Sequence, residues 1–271
     1  MIRPWLHVPD MHFPFEDKRF WKLLLKVGMW LKPYGIIIYG DFLDFFAISA
    51  HSKNPARWAS VECELEAGKV ARAELDSLKA KSKYYLKGNH EYRWERYMWD
   101  HCPPLWKQIP SVESLLEMEE HGWEVIQYKK FGKVGHYRFT HDIGSAGQYA
   151  HFKAANAFQS SNGTGHTHRA GIHYFGTIEG ENKVSAMFGW GGDKDAAEYA
   201  NETQKKDWIH SFGVSYEDTT TGSHHIQVIP SINYSCVVNG KLFEAPFIKQ
   251  TVKKKPIMSY DELLKRQQNG R

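Results

Sequence analysis

Histidine, aspartate and asparagine side chains recur in five short motifs within the first two thirds of this 271-residue chain. Each motif directly follows a stretch with the pattern of a β-strand. Loops beyond the carboxyl ends of strands are where α/β proteins bind ligands, so the types of these residues and their positions agree. In chain order the motifs are Asp10-Met11-His12, Gly40-Asp41-Phe42-Leu43-Asp44, Gly88-Asn89-His90-Glu91, His141 alone, and Gly165-His166-Thr167-His168.

These residue types suit a centre of two metal ions. Side chains at alternate positions of an extended loop point the same way, so Asp10 with His12, and His166 with His168, can each hold a metal from one side. Two carboxylates, four imidazoles and one amide favour Mn²⁺, Fe or Zn²⁺, and the lack of thiolates argues against copper(I) or an iron–sulfur cluster. A bridging carboxylate holds two such ions about 3.5–4 Å apart, the spacing that serves in-line displacement at phosphorus.

The elements that position the first three motifs have an alternating β-α-β pattern. Residues 18–31 carry apolar side chains at helical spacing, and residues 36–39 form the continuous apolar run of a strand buried on both faces. Residues 60–80 predict a second helix and 84–86 the next strand. A helix over 111–120 and a strand over 123–128 should follow. This alternation predicts an α/β fold.

The second half of the chain is richer in predicted strands. The Asn239-Gly240 pair is a strong signal for a hairpin turn. We expect one α/β domain with two sheets and outer helices over residues 1–248, and we interpret the polar, glycine-containing residues 193–224 as a loop or insertion. The predicted elements are a strand at 137–140, a helix at 148–160, a hairpin of 172–178 with 183–190, and strands at 226–238 and 241–244.

Composition excludes several classes of protein. Apolar residues make up 42% and charged residues 24%, which is ordinary for a globular protein and does not favour disorder. No apolar run reaches about 18 residues, so a membrane span is not expected. The N-terminus lacks the apolar stretch of a signal peptide, and three cysteines are too few for a disulfide framework. We therefore expect a soluble, cytoplasmic protein, in the host cytoplasm if a phage encodes it.

The positive charge is concentrated at the end of the chain. The formal net charge is +4, but residues 249–271 alone carry +5 and the other residues −1. A neutral body does not by itself favour a nucleic-acid-binding domain. The run Lys253-Lys254-Lys255 predicts a solvated basic tail, or alternatively an electrostatic tether for nucleic acid or an acidic partner. The oligomeric state is left open.

The five motifs, in this order, resemble those of the calcineurin-like metallophosphoesterase superfamily, over about residues 5–170. The chain is most similar to small members from bacteria and their phages. The resemblance implies a four-layer α/β/β/α sandwich with two central mixed sheets. It also implies two divalent ions, with Mn²⁺ favoured over Fe or Zn²⁺.

The resemblance further implies a role for each motif residue. One ion would be held by Asp10, His12 and His168, and the other by Asn89, His141 and His166, with Asp41 bridging the two. His90 would protonate the leaving oxygen, and Asp44 would orient it.

Two positions depart from well-described branches of the superfamily. Phosphoprotein phosphatases carry an arginine directly after the GDxxD motif that binds phosphate in a bidentate way, and here the residue is Phe45. The strand-break nuclease branch carries a histidine where this chain has Asp44. Arg93 and Arg169 are the candidate replacements for the missing phosphate-binding arginine.

Some of these residues also have plain structural interpretations. Asp44 could serve as the N-cap of a helix that begins near Phe45. Residues 93–97 resemble an aromatic and basic platform for nucleic acid. However, Trp94, Tyr97 and Met98 have helical spacing, and we predict that they pack in the core.

The sequence thus predicts a binuclear phosphoesterase with a metal-bridging hydroxide as nucleophile and His90 as general acid. Phosphodiesters are the favoured substrates, with nucleic acid or nucleotides among the candidates and no membrane partner. One alternative is a phosphomonoesterase that acts on phosphoproteins or nucleotides. Another is a metal-binding interaction scaffold without catalysis, which is disfavoured because every motif ligand and the proposed acid are present.

Overall fold

The computed structural model describes residues 1–53, 59–197 and 201–247, and its first sheet has six strands. In spatial order they are Ser223–Pro230 (β11), Ser211–Asp218 (β10), Ile2–Val8 (β1), Gly35–Ile38 (β2), Ser82–Leu86 (β3) and Glu124–Ile126 (β4). Strands β1 to β4 run parallel, as the alternating pattern predicts, while β10 and β11 extend the sheet in antiparallel fashion.

The second sheet has five strands and is also mixed. In spatial order they are Gly132–Val134 (β5), Tyr137–Thr140 (β6), Asn162–Thr164 (β7), Asn182–Phe188 (β9) and Ala170–Gly176 (β8). The three central strands are parallel, and β5 and β8 pair antiparallel at the edges. A separate hairpin joins Ser235–Val238 (β12) to Lys241–Glu244 (β13) across Asn239-Gly240.

The described residues form six α-helices, of which α1, α2 and α5 cover the outer faces of the sheets. The six are Lys18–Leu31 (α1), Val61–Asp76 (α2), Tyr92–His101 (α3), Val112–Leu115 (α4), Ala150–Phe158 (α5) and Glu202–Lys205 (α6). Helices α1 and α2 pack on the six-stranded sheet through residues such as Leu24 and Leu75, and α5 packs on β7, β8 and β9. The four-layer α/β/β/α sandwich implied by the resemblance is therefore confirmed.

The short strand β2 shows why a continuous apolar run belongs in the middle of this sandwich. Successive side chains of a strand point to opposite faces. Ile36 and Ile38 accordingly join the apolar cluster under the helices, whereas Ile37 joins the cluster between the two sheets, with Phe139 and Phe188. All three isoleucines are fully buried, so a shift of β2 would remove apolar contacts on both faces of the sheet.

Three expectations about elements need correction. Residues 193–224 are not simply a loop, because β10 lies among them and pairs with β1 along its length, from Ile2–Asp218 to His7–Gly213. Residues 226–238 do not form one strand, because β11 ends at Pro230 and β12 begins at Ser235. The expected helix over 111–120 is only α4, followed by a 3₁₀ turn at Glu119–His121.

The helix predicted over 60–80 ends early, at Asp76, and the strand predicted over 123–128 covers only Glu124–Ile126, while the other boundaries lie close to the prediction. Helix α1 begins where Asp17 accepts hydrogen bonds from the backbone N–H groups of Arg19 and Phe20, and it ends at Lys32, which has a left-handed backbone. The single domain over 1–248 remains a prediction, and the basic tail 249–271 lies outside the described residues. Among the described residues, no helix is both long and apolar enough to cross a membrane.

A pair of isoleucines can test the core between the sheets. We expect Ile37→Ala to lower the free energy of unfolding by about 3 kcal/mol, because it leaves a cavity in a packed interior. The matched control is Ile178→Ala in the turn after β8, where the side chain is 99% exposed and should contribute almost nothing. Urea denaturation of both variants measures the difference, and equal midpoints would contradict this account of the core.

Candidate metal centre

The five motifs meet at one edge of the sandwich, where the parallel strands of both sheets end. The backbone holds neighbouring loops together, since the N–H groups of Met11 and His12 both donate to the carbonyl of Asp41, at 3.0 and 2.9 Å. Similarly, Gly165 N–H donates to the carbonyl of His141 at 3.0 Å. These bonds join the Asp10 motif to the Asp41 motif, and His141 to the His166 motif.

Four motif residues have a left-handed backbone, which is uncommon for residues other than glycine. The φ angles are 56° at His12, 44° at Asp41, 66° at His166 and 58° at His168. Such conformations cost about 1–3 kcal/mol each and persist where the surrounding structure enforces them, most often at functional sites. Here they turn side chains from several loops towards a common centre.

The first cluster of potential ligands consists of Asp10, His12, Asp41 and His168, all buried, with ligand atoms within 4.8 Å of one another. The Nε2 atoms of His12 and His168 lie 3.1 Å apart, and Asp10 Oδ2 lies 3.6 Å from His168 Nε2. Among the described residues, neither carboxylate oxygen of Asp10 receives a hydrogen bond of good geometry. A buried carboxylate without a donor is costly, so this cluster fits a cation.

The second cluster is formed by Asp41, His141 and His166, with Asn89 among them. His141 donates from Nδ1 to the carbonyl of Tyr39 at 2.7 Å, which leaves its Nε2 atom 2.9 Å from Asn89 Oδ1 and 3.4 Å from Asp41 Oδ2. His166 Nδ1 lies 2.8 Å from the same Asn89 oxygen. The structure thus brings together all seven residues predicted as ligands, and Asp41 belongs to both clusters.

A third group combines His12, Asp44 and His90. Asp44 Oδ1 lies 3.1 Å from Nδ1 of His12 and 3.1 Å from Nδ1 of His90, and the carbonyl oxygen of Asp44 lies 2.7 Å from the latter atom. These distances are those of hydrogen bonds, in which the imidazole N–H groups donate. The N-cap interpretation of Asp44 is wrong, because the helical turn at Phe46–Ile48 is preceded by Phe45 and has no side-chain cap.

Charge and burial shift several pKa values in the clusters. Burial raises the pKa of Asp10 well above its usual range, and burial followed by the His12 charge lowers the pKa of His168. Burial would lower the pKa of His141 as well, but the nearby Asp41 carboxylate raises it to about 10. Bound divalent cations would dominate these local charges and favour the ligating forms, namely carboxylate and neutral imidazole.

Glu91 is a structural residue of the site whose role the sequence reasoning missed, although it closes the GNHE motif. It is fully buried, and its carboxylate accepts hydrogen bonds from the backbone N–H groups of Asp41 at 3.0 Å, Leu43 at 2.9 Å and Gly88 at 2.7 Å. At Gly88 a Cβ atom would lie 2.1 Å from Asp41 Oδ1, so only glycine permits this approach of the two loops.

The two arginines proposed for substrate binding have different surroundings. Arg93 lies at the site, since Nη1 donates to the carbonyl of Asp44 at 2.8 Å and Nη2 lies 2.9 Å from His90 Nε2. Arg169 instead donates to the carbonyls of Ala146 at 3.0 Å and Thr167 at 3.3 Å. Substrate binding by either arginine remains a prediction, and the geometry favours Arg93.

The prediction that the aromatic residues of α3 pack in the core is only partly correct. Trp94 is half-buried and stacks on Phe45, with ring centroids 5.9 Å apart. Tyr97, by contrast, is 36% exposed, and of the residues in α3 only Glu95 is buried. One face of α3 is therefore free to contact a ligand.

The comparisons with known proteins identify the family. The model of the calcineurin-like phosphoesterase family matches residues 4–216, so this chain belongs to that family. The family, together with the buried clusters of histidine and aspartate, indicates a site for divalent metal ions in a phosphoesterase fold. No curated protein matches the chain significantly.

Solved structures with a similar fold share few residues with this chain. Vps29 from Chaetomium thermophilum is 11% identical with a TM-score of 0.45, over 92% of this chain and 99% of its own. A double mutant of Vps29 from Entamoeba histolytica is 13% identical with a TM-score of 0.44, over 88% and 95%. The protein TT1561 of Thermus thermophilus is 10% identical with a TM-score of 0.36, over 84% and 99%.

Replacement of Glu91 should loosen the site. We expect Glu91→Gln to lower the free energy of unfolding by about 3 kcal/mol, because its amide N–H₂ would face buried N–H donors that lose their acceptor. Metal affinity should fall with it, since the same bonds position Asp41. The exposed Glu120→Gln is the matched control. Calorimetry and metal titration measure both effects, and unchanged stability would contradict the role assigned to Glu91.

Proposed function

We propose that this protein is a binuclear metal-dependent phosphoesterase that acts on phosphodiesters. The proposal is supported by two ligand clusters that share Asp41. Beside them lies His90, which belongs to neither of these clusters. We assign one ion to Asp10, His12 and His168 and the other to Asn89, His141 and His166. The three free cysteines, Cys63, Cys102 and Cys236, support the proposed cytoplasmic location.

The chemistry of the ligands agrees with the proposed ions. Nitrogen and oxygen ligands without thiolate suit Mn²⁺, which we favour, and also Fe or Zn²⁺. Bound there, two divalent cations would activate a water molecule and neutralise the phosphoryl oxygens. The ligands themselves carry two negative charges, from Asp10 and Asp41. The loaded site would remain positive and attract an anionic ester.

His12 and His141 are held in the orientation that metal ligands require. His12 donates from Nδ1 to Asp44, and His141 donates from Nδ1 to the carbonyl of Tyr39, so in each ring Nε2 faces its cluster. Such outer hydrogen bonds fix the tautomer and the direction of the ring. Asp44 thus acts on a ligand as well as on the proposed acid, which extends the role expected for it.

We propose that His90 protonates the leaving oxygen. Its Nδ1 atom is held by Asp44, so its Nε2 atom faces the site, 3.8 Å from Asp41 Oδ2. Arg93 Nη2 lies 2.9 Å from the same Nε2 atom. A bound phosphoryl group would compete for this guanidinium and free the ring to hold a proton. Burial lowers the pKa of His90 to about 4, so a neighbouring anion is needed to keep that proton.

The metal stoichiometry tests the binuclear assignment. The protein should bind two divalent ions per chain, because the ligands form two clusters around Asp41. Asp41→Asn should lower the occupancy of both sites together, whereas His168→Ala should weaken mainly one. Elemental analysis and isothermal titration with Mn²⁺ measure these effects. A third tightly bound ion would instead assign His12, Asp44 and His90 to a metal.

The choice of substrate tests the diester preference. Phe45 is buried where phosphoprotein phosphatases place their arginine, so a doubly charged monoester loses that contact, while a singly charged diester needs it less. We expect hydrolysis of bis(p-nitrophenyl) phosphate to be at least comparable to that of p-nitrophenyl phosphate. A strong preference for phosphopeptides would favour the monoesterase alternative, and no turnover of any ester by the metal-loaded protein would favour a scaffold.

The leaving group tests the role of His90. General acid catalysis typically raises the rate about 10²–10⁴-fold. The contribution is largest where the departing oxygen is a poor leaving group. His90→Ala should keep both metals, lose most of its turnover on alkyl esters and lose much less on nitrophenyl esters. Asp44→Asn should show the same pattern more mildly. Equal losses on both ester types would mean that His90 binds phosphate and transfers no proton.

A further inference from the structure

A cleft of about 560 Å³ lies directly beside the second ligand cluster. One wall is the loop of residues 47–53, and the other is a single face of α3, whose residues recur at helical spacing. Asn89 also lines the cleft, so it opens onto the proposed metal pair. The α3 residues that line it are Arg93, Arg96, Tyr97, Asp100 and His101. We refer to this feature as the α3 cleft.

Two cations of the α3 cleft, Lys53 and Arg93, have hydrogen-bond partners that carry no charge. Lys53 donates to the carbonyl of Ser49, to its hydroxyl at 2.7 Å and to the carbonyl of His51 at 3.1 Å. Arg93 contacts the Asp44 carbonyl and the His90 ring. All of these partners are neutral groups. Among the described residues that line the cleft, Asp100 is the sole acid beside Lys53, Arg93 and Arg96, while the buried carboxylates of Asp44 and Glu64 act on Lys53 from outside the lining.

The proximity of these cations points to an anionic ligand. Burial and then the charge of the nearby Arg93 lower the pKa of Lys53, and the carboxylates of Glu64 and Asp44 oppose this shift without reversing it. Bringing like charges together is unfavourable unless an anion joins them. Because the cleft adjoins the proposed metal pair, the anion it fits is a phosphate next to the one that reacts.

An aromatic surface accompanies these charges. Tyr97 stacks on His101, with ring centroids 4.1 Å apart and an angle of 19° between the rings, and its own side chain remains 36% exposed. An exposed, supported ring is the surface on which unpaired bases stack, and its combination with basic side chains is typical of proteins that bind single strands. A phosphopeptide carries no base that could stack on this ring.

We propose that the α3 cleft binds the phosphate and base that flank the scissile phosphodiester of a single-stranded nucleic acid. This inference rests on the proposed function and names its substrate class. Lys53 and Arg96 contact the flanking phosphate, Tyr97 stacks on a base, and Arg93 reaches the reacting phosphoryl group. The volume lies within the range of about 300–1,000 Å³ for ligand pockets, which suits one or two nucleotides.

The test compares a strand with a small diester on the Mn²⁺-loaded full chain. Octathymidylate should be hydrolysed and should inhibit bis(p-nitrophenyl) phosphate hydrolysis competitively. Arg96→Gln should raise the KM for octathymidylate about fivefold, or about 1 kcal/mol at about 1.4 kcal/mol per tenfold, and the KM for the small diester far less. Tyr97→Ala should likewise raise the KM for octathymidylate more than the KM for the small diester. The inhibition constant of octathymidylate should rise less steeply with salt in Arg96→Gln than in the parent protein.

Two controls separate the cleft from other basic surfaces. Lys153→Gln removes an exposed cation on α5, in the outer layer, and should change neither KM. Replacement of Lys253, Lys254 and Lys255 by glutamine tests the tail, and the effect of Arg96→Gln should persist in that background. Equal KM changes for both substrates, or a substrate preference for mononucleotides or phosphopeptides, would overturn the inference. Hydrolysis of neither octathymidylate nor the small diester by the metal-loaded protein would instead count against the proposed function.

Discussion

The site depends on one buried carboxylate that is itself neither a proposed ligand nor a proposed acid. Glu91 accepts three backbone N–H groups from the loops that follow β2 and β3, and so fixes the distance between Asp41 and Asn89. Hydrogen bonds to a buried carboxylate are short and strong, and their loss leaves several donors unsatisfied at once. A Cβ atom at position 88 would lie 2.1 Å from Asp41 Oδ1, so the close approach of these two loops also requires glycine there. The positions of the ligands therefore depend on how Glu91 holds the backbone of the two loops that carry them.

The chain alone does not satisfy the groups that it brings together. Asp10 and Asp41 are both buried, and the carboxylate oxygens of Asp10 receive no good hydrogen bond among the described residues. His12 and His168 direct ring nitrogens at each other. Left-handed backbone at four ligand positions adds conformational cost. Burial of charge and strain without internal compensation is expected where a ligand supplies the missing energy, and divalent cations would compensate for all of these costs together.

The sequence predicted the parts of this site that depend on local pattern. Motif order identified the family, and the apolar runs located β2 and β3 to within two residues at each end. It could not place β10, because the partner of β10 is β1, more than 200 residues earlier, and its own pattern is interrupted by polar residues that face the other sheet. The sequence also could not predict the three hydrogen bonds that Glu91 accepts or the contact of Asp44 with His12. Both depend on which loops meet in space, and a single sequence does not record that.

Contacts with helix α3 explain why phenylalanine suits position 45, where phosphoprotein phosphatases carry arginine. Phe45 is completely buried and stacks on Trp94, so its ring helps to hold the first turn of α3 against the site. From that turn, Arg93 reaches back to the Asp44 carbonyl and to His90. An arginine at position 45 would bring a second cation close to Arg93 and remove the stacking contact. If Arg93 binds phosphate as proposed, α3 supplies the positive charge that position 45 lacks. The exposed face of α3 continues with Arg96 and Tyr97, so the proposed catalytic centre and the proposed strand-binding surface would share one helix.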